Sequence, residues 1–595
     1  MTAAEVLQQY QDRLRELSAA ADQARLHSSL AGLLLFLGVA LFLTLGVYAI
    51  GRRVPAWTPA AVVPLVIAAA ASYRHRRRGR YRAGRLRQTY LHAVERLQGD
   101  WAGGGESGEE FADPAHPYAS DLNVFGEGSL FELLCTARTA NGKRGLAEYL
   151  SIIPSLAETL ARQEAVQELK DRTGIREQIA VLGEFEFLES RAETFTQWLD
   201  SPALTFNRTL QIALLLTSSL AGTLLLGGMS GLILWKTVAA YMIPLLGVHS
   251  AIGLMFRTRV NRMADWLRPV SLETQVLREG LRLMEAAQFQ SPKLRGLMER
   301  MRGGSVSVRR LERLLNALNE RNKEWFYLVS LVLMAGTQLS MAVENWRMRN
   351  REALRGWLEA WAEFEALNAL ANYAYENPEN SLPQFGGEEA AFEAEALGHP
   401  LLPVGSCVRN DVALNARTRF YLVSGSNMAG KSTLLRAVGL NAVLALAGAP
   451  VRARRLRLSA GAVCASLSIV DSLLNGKSKF LTEMDKLRQA LETAADGKQV
   501  LFLIDEILSG TNSQDRRIAS EAVVRTLIER GAIGMLSTHD LALSEIAELE
   551  PLHGLNVHMA SRSGGGPMDF DYLLKPGVTK EANALAIAKM AGVPV

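Results

Sequence analysis

Cysteine is almost missing from this chain of 595 residues: only Cys135, Cys407 and Cys464 occur. Their scatter leaves no metal-ligand spacing and no disulfide framework, which suits a reducing compartment and reads them as small buried apolar side chains. A strong charge imbalance is missing too. The 65 Lys and Arg residues stand against 61 Asp and Glu, for a formal net charge of +4, so bulk charge gives no argument for nucleic acid. A cleavable secretory leader is not expected, because the polar lead is long and a second apolar run follows the first. The chain is too long for one hydrophobic core, so several domains are expected.

The 48% hydrophobic content is ordinary on average but locally concentrated. Residues 28–50 carry no charge and are long enough to cross a ~30 Å hydrocarbon core. A second apolar run, 57–73, follows Arg52 and Arg53 almost at once, and eight arginines then fall within residues 74–87. Arg13, Arg15 and Arg25 precede the first run. Basic flanks on both outer sides predict a hairpin with both ends cytoplasmic, eight arginines outweighing the two in the turn. A second pair of spans is expected within 209–256, bounded by Arg208 and by Arg257, Arg259 and Arg262. It must break between Gly227-Gly228 and Trp235-Lys236, with Lys236 near an interface, since a charge at the bilayer centre costs roughly 2.5–3.5 kcal/mol. The competing reading is a buried helical hairpin in a soluble domain. The third uncharged run, 325–343, has basic flanks at both ends and would make the crossings odd in number, so it reads as a core helix. Four crossings place a multi-pass protein in the inner or cytoplasmic membrane, with its C-terminal domain in the cytoplasm.

Between and after these runs the chain reads as soluble. Residues 101–120, with three consecutive glycines and two proline steps, read as a linker. Residues 121–208 and 257–385 show apolar spacings of three and four, a helical pattern with solvated charged faces. From 398 to 595, short apolar strands alternate with helices, which predicts an α/β domain built on a mostly parallel sheet.

That domain holds the most specific pattern, Gly425-Ser426-Asn427-Met428-Ala429-Gly430-Lys431-Ser432-Thr433, which fits G-x-x-x-x-G-K-[ST]. Phe420 to Val423 reads as a buried strand before it and residues 434–446 as a helix after it. A strand turning through glycines into a helix N-terminus aims backbone N–H groups and the positive end of the helix dipole at one point. Polyphosphate fits there, with Lys431 reaching the β- and γ-phosphates and the Ser432 hydroxyl set for Mg²⁺. The apolar strand Val500-Leu501-Phe502-Leu503-Ile504 ends in Asp505 and Glu506 at the edge where ligands bind in such sheets. Asp505 is expected to hold Mg²⁺ through water, and Glu506 to orient or deprotonate the attacking water. A further strand, Met535-Leu536-Ser537-Thr538, ends in His539 at the same edge, within reach of the γ-phosphate.

These residues resemble the MutS family within the ABC-type ATPases. The loop 425–433 is similar to the MutS phosphate loop, including the Asn427-Met428 pair that most P-loop enzymes lack. The segment Ser478-Lys479-Phe480-Leu481-Thr482-Glu483-Met484 is similar to the family's signature segment, in which the serine reaches the nucleotide of the opposite subunit. Ser509 to Asp515 falls where the family's D-loop lies, Thr538-His539 matches its switch histidine, and the tail from Gly577 to Pro594 resembles the end of the same domain. A weaker resemblance joins residues 121–163 to the start of the MutS core, or lever, domain, with the helices after 257 as its second half.

The resemblance implies a homodimer that sandwiches ATP and Mg²⁺ between Lys431 of one subunit and Ser478 of the other, and whose hydrolysis moves lever helices. It carries a nucleic-acid role by analogy alone. The expected departures are a membrane hairpin where the mismatch-reading and connector domains stand, no recognisable clamp, and no dimer-forming tail after the ATPase core. The basic strip Arg452, Arg454, Arg455 and Arg457 is open to phosphates but lacks interleaved aromatics, so a solvated edge is the plainer reading. Two other functions compete. One is an ABC-type transporter, disfavoured because Leu508-Ser509-Gly510-Thr511-Asn512-Ser513-Gln514 follows the Asp505-Glu506 strand instead of preceding it. The other is an ATP-gated membrane scaffold without a nucleic-acid role, disfavoured by the intact Glu506.

Overall fold

The computed structural model describes all residues except 56, 184–191, 203–207, 321–329, 331, 387–388, 427, 460, 468–478, 509–511, 563–568 and 580–595. Asn427, Ser478, the start of the Ser509 to Asp515 segment and the tail beyond 579 therefore lie outside the described residues. The helices are α1 (Ala3–Ile50), α2 (Thr58–Gln98), α3 (Leu130–Leu134), α4 (Ala140–Ser151), α5 (Leu156–Lys170), α6 (Thr173–Ala180), α7 (Ala192–Asp200) and α8 (Arg208–Met229). There follow α9 (Trp235–Ala286), α10 (Pro292–Met301), α11 (Gly304–Glu320), α12 (Ala335–Glu376), α13 (Lys431–Ala447), α14 (Lys479–Ala495), α15 (Ser513–Glu529) and α16 (Ser544–Ala547). The chain divides into two compact units. One comprises Met1–Thr136, Leu146–Arg176 and Ala366–Val595, the other Ala137–Gly145 and Glu177–Glu365.

In the first unit α1 and α2 form an antiparallel hairpin in which Gly32 lies against Tyr73 and Gly38 against Val66. A capping box starts α1: the Glu5 N–H donates to Thr2 Oγ1 at 3.3 Å and the Thr2 N–H to the Glu5 carboxylate at 2.8 Å. Gly99, at φ 92, closes α2. The base of the hairpin is packed, with Val6, Tyr10, Ala93 and Val94 buried. Its far half is not: Leu33, Leu34, Phe36, Leu43 and Val47 are exposed. Among the described residues three helices are long and apolar enough to cross a membrane: α1, the stretch Thr209–Met229 and the stretch Trp235–Phe256. α2 does not join them. Arginines begin at Arg74, so its apolar start rises only about 24 Å at 1.5 Å per residue, short of a ~30 Å core.

The C-terminal end of α12 is fastened to the hairpin base. Glu376 accepts from Arg96 Nε at 2.9 Å and from Arg96 Nη2 at 2.6 Å, with Glu376 buried. Tyr375 stacks on Tyr10, ring centroids 6.0 Å apart, and carries Arg176 on its ring at 4.5 Å. A fork-to-carboxylate pair excluded from water is strong when both partners are present and costly when one is removed.

Residues 101–120 are irregular, as their glycines and prolines dictate, but the end of this stretch is packed. Tyr118 is buried and donates to Leu150 O at 2.8 Å, and the Ala465 N–H donates to Pro117 O at 2.9 Å. Just beyond, Leu122 fills the space beside Gly439 and Leu503.

The α/β region holds two sheets. The smaller has the order β1-β5-β2-β3, from β1 (Gln384–Phe385), β2 (Phe392–Leu397), β3 (Asn410–Leu414) and β5 (Arg455–Leu458). The larger has the order β10-β9-β4-β8-β7-β6, from β4 (Phe420–Ser424), β6 (Ala462–Ser466), β7 (Val500–Asp505), β8 (Ile533–Thr538), β9 (Gly554–His558) and β10 (Lys575–Pro576). Its pairings are parallel except for β10 on β9. Strands β4 and β8 are buried throughout their length, as expected for a parallel sheet covered on both faces.

The second unit is helical. Between α8 and α9 the chain turns at residues 230–234, with Gly231 at φ 75. Gly280 of α9 makes room for the buried Trp361 ring, which a Cβ would approach to 2.5 Å. A turn with Met334 at φ 50 divides the uncharged run 325–343, and α12 begins after it, so the described part of that run is not one straight helix. Glu365 is fully buried at the start of α4, accepting from the Arg138 N–H at 2.6 Å and from the Thr139 N–H. Burial pushes its carboxyl up to about 7, against the pull of those donors.

Gly534 of β8 pairs with Phe420 on one side and Phe502 on the other, and a Cβ there would stand 2.1 Å from the Phe502 carbonyl oxygen. Gly534→Ala is expected to lower stability by about 1–3 kcal/mol by overpacking the sheet centre. Thermal unfolding of the full chain measures this, and an unchanged midpoint would contradict the packing described.

Candidate nucleotide-binding site

Register brings the site together. In the parallel order β4-β8-β7, Ser424 lies beside Thr538, and Asp505 beside Ser537. The three strands therefore release the phosphate loop, the paired carboxylates and His539 at one edge. The loop leaves β4 through Gly425 at φ 150, where a Cβ would stand 2.5 Å from Met559 O. It enters α13 through Gly430 at φ 97. These are backbone conformations that favour glycine.

Lys431, the first residue of α13, is 4% exposed and donates to Gly425 O at 2.8 Å and Ser426 O at 2.9 Å. Burial pulls its ammonium below the ordinary lysine value, while the nearby Asp505 and Glu506 oppose that shift. Ser432 Oγ donates to the Asp505 carboxylate, and Ser537 Oγ donates to its other oxygen. Glu506 follows at φ 51, a strained conformation for a non-glycine residue, with its N–H on Ser537 O at 3.1 Å. Its carboxylate meets His539 Nδ1 at 3.2 Å. Lys431, Ser432, Asp505, Glu506 and His539 are thus brought together.

Several contacts escaped the reading of the sequence. Ser537 is a buried hydroxyl that follows the apolar start of β8, and that change was the available signal. Glu483, inside the signature-like segment, is buried and accepts from the Leu508 N–H at 2.6 Å. It ties α14 to the turn after Glu506. Arg516 of α15 donates to Leu508 O at 3.1 Å, and its guanidinium lies 3.8 Å from Asp540. The Tyr572 ring stands beside Gly430, near enough that a Cβ there would meet it at 3.0 Å. Asn410 fixes the Tyr572 backbone, donating to its carbonyl at 3.0 Å.

The basic strip is committed elsewhere. Arg454 pairs with Glu395 at 3.2 Å and Arg457 with Glu393 at 3.1 Å across β5 and β2, while Arg452 is buried on backbone carbonyls. Charge pairing thus engages Arg454 and Arg457 of the strip.

The arrangement suits a polyphosphate with a hard divalent cation. Ser426 Oγ is buried with no hydrogen-bond partner among the described residues. The Ser432 hydroxyl and the Asp505 carboxylate make an oxygen pair of the type Mg²⁺ takes.

Comparison with known proteins points the same way. Residues 421–595 match MutS domain V. The DNA mismatch repair protein MutS of Lactobacillus delbrueckii subsp. bulgaricus is 31% identical over 256 residues, which is 41% of this chain and 29% of that protein. MutS of Thermus aquaticus is 31% identical over 286 residues, 47% of this chain and 33% of that protein. The longest of these matches is to MutS of Thermus thermophilus, 28% identical over 503 residues, 80% of this chain and 60% of that protein. This chain therefore spans less than two thirds of the length of the relatives it matches. The region that carries the site is a P-loop ATPase-type α/β domain that matches MutS domain V, and it is through this domain that the chain resembles the MutS proteins.

Proposed function

We propose that this protein is a membrane-anchored MutS-like ATPase, which hydrolyses ATP in a composite site formed by two copies of the chain and thereby moves its long helices. The observation that carries this reading is the meeting of Ser432, Asp505, Glu506 and His539 at one sheet edge beside Lys431. Polyphosphate is bound by the loop 425–433, Lys431 exchanging its loop carbonyls for the β- and γ-phosphates. Ser432 and Asp505 would hold Mg²⁺, which would neutralise charge on the phosphate oxygens. Glu506 takes the proton of the attacking water, and His539, in contact with Glu506, orients that carboxylate toward the γ-phosphate. Tyr572 presents an aromatic face for the base.

Ser478, the signature-segment serine, reaches the nucleotide of the second copy. Glu483 on the adjoining helix supports a link between the two halves, because it binds the turn that follows Glu506. Opening and closing of such a dimer is the expected source of movement.

The membrane assignment rests on exposed apolar helices. On α1, Leu34 and Phe36 are 64% and 68% exposed, and Leu215 and Leu216 on α8 are 59% and 62%. Contiguous apolar surface on helices of spanning length is what a bilayer covers. Spans in α1, α8 and α9, with the shorter apolar start of α2 returning the first hairpin toward its basic flank, make a multi-pass protein of the inner or cytoplasmic membrane, its ATPase domain in the cytoplasm. A DNA partner is suggested only by the names of the relatives, whose length this chain spans in part. The transporter reading is not favoured, and a scaffold that binds ATP without hydrolysing it leaves Glu506 and its strained backbone without purpose.

Three outcomes test this reading. Glu506→Gln is expected to lower ATP turnover by about 10²–10⁴-fold with nucleotide binding retained; steady-state hydrolysis and nucleotide titration measure both, and undiminished turnover removes Glu506 as the base. Ser432→Ala is expected to raise the Mg²⁺ concentration needed for half-maximal turnover by about 10-fold or more. An unchanged Mg²⁺ titration would exclude Ser432 as a ligand. Ser478→Ala is expected to weaken ATP-dependent dimerisation of the detergent-solubilised chain, read by light scattering. If the variant dimerises as the parent does, the cross-subunit role is wrong.

A further inference from the structure

Residues 17–94 contain one acid, Asp22, against eleven arginines. Eight of those arginines crowd into residues 74–87 of α2, and the antiparallel hairpin turns that crowding into a layer. At the base, Val6 and Tyr10 pack on Ala93 and Val94. At the far end Leu33 and Phe36 of α1 and Leu65 and Ile67 of α2 are exposed. Between the two, the helices leave a groove of about 270 Å³ lined by Ser18, Asp22 and Arg25 on α1 and by Arg80, Gly84 and Arg87 on α2. Gly84 borders open space, with nothing within 4 Å of where its Cβ would stand. Among the described residues none of Arg25, Arg80 and Arg87 has an ion-pair partner. Arg85, beside Gly84, has a buried Nε with no hydrogen-bond partner among the described residues.

We propose that this groove binds the headgroup of an anionic phospholipid. The inference rests on the membrane reading and adds a specific site to it. Depth supports the choice of occupant. Arg25 precedes the exposed Leu30 by five residues, about 7.5 Å along a helix, and a headgroup layer is about 5–7 Å thick on each side of the hydrocarbon. The arginines therefore stand at phosphate level when the exposed leucines stand in acyl chains. Guanidinium forks match phosphate oxygens in pairs, and a polybasic cluster adjoining a span attracts anionic lipid. A nucleic-acid duplex laid in the same groove would press on the exposed apolar belt one to two turns away, which disfavours it.

The test uses the full chain in detergent. Short-chain phosphatidylglycerol, phosphatidylcholine of the same chain length, inorganic phosphate and a DNA duplex are each titrated, with binding read by native mass spectrometry and thermophoresis. Saturable phosphatidylglycerol binding is expected, at least 10-fold tighter than phosphatidylcholine and than free phosphate. Arg80→Gln with Arg87→Gln should weaken it 10-fold or more, with ATP turnover unchanged. Asp22→Asn, which removes the groove's acid, should tighten it at least 2-fold, and this gain decides the matter if the double variant does not fold. Equal binding of the two lipids, equal binding of free phosphate, tighter binding of duplex lost in the double variant, or no effect of Asp22→Asn each overturns the proposal. Carbonate extraction of membranes separates the two levels. A chain that stays embedded yet shows no lipid preference defeats only the headgroup site, and a chain released by carbonate defeats the membrane reading.

Discussion

The Asp505 carboxylate is the junction on which the site depends. One oxygen accepts from Ser432 at the start of α13, the other from Ser537 in the neighbouring strand. A carboxylate held by two hydroxyls at the end of a buried parallel strand cannot shift without disturbing the phosphate loop and the strand that carries His539. The strained Glu506 sits on the same short connection, with its N–H on Ser537 O, so its side chain is aimed by backbone and not by its own rotamer preference. Sheet register supplies the alignment and Gly534 supplies the close strand approach that keeps it.

Around this junction, helices that look remote in the sequence are linked to it by single buried contacts. Glu483 on α14 holds the turn after Glu506, and Arg516 on α15 holds the Leu508 carbonyl and lies near Asp540. Movement of either helix must break or carry these contacts, which ties both helices physically to the edge that carries Asp505 and Glu506. Elsewhere in the same unit, the Arg96–Glu376 pair and the Tyr10–Tyr375 stack join the end of α12 to the base of the first hairpin. A buried ion pair of this kind specifies one seating of the two helices. Removing either partner would strand a charge away from water.

Much of the site was legible because its signals are local. The glycines at 425 and 430, the Lys431-Ser432 pair, and the apolar strand ending in Asp505-Glu506 each announce their chemistry within ten residues. Contacts across the sheet left weaker traces. Ser537, Glu483 and Tyr572 lie 32, 25 and 142 residues from the partners they meet at Asp505, Leu508 and Gly430. No spacing rule joins positions so far apart. The arginines of the 452–457 strip show the reverse case, since their charge is evident in the sequence but its neutralisation by Glu393 and Glu395 follows only from strand pairing.

Sequence by itself determined the glycine-lysine loop 425–433, the residues that meet at its edge, the α/β class of the domain and the positions of the long apolar runs. Periodicity and composition suffice for these, because each is a property of a few consecutive residues. Tertiary structure decided the rest. It cut the run 325–343 at Met334 and brought 32-residue and longer separations to hydrogen-bond distance through the parallel register. It also set Arg25 beside Arg80 and Arg87, a proximity that depends on how two antiparallel helices are paired and that no linear reading contains.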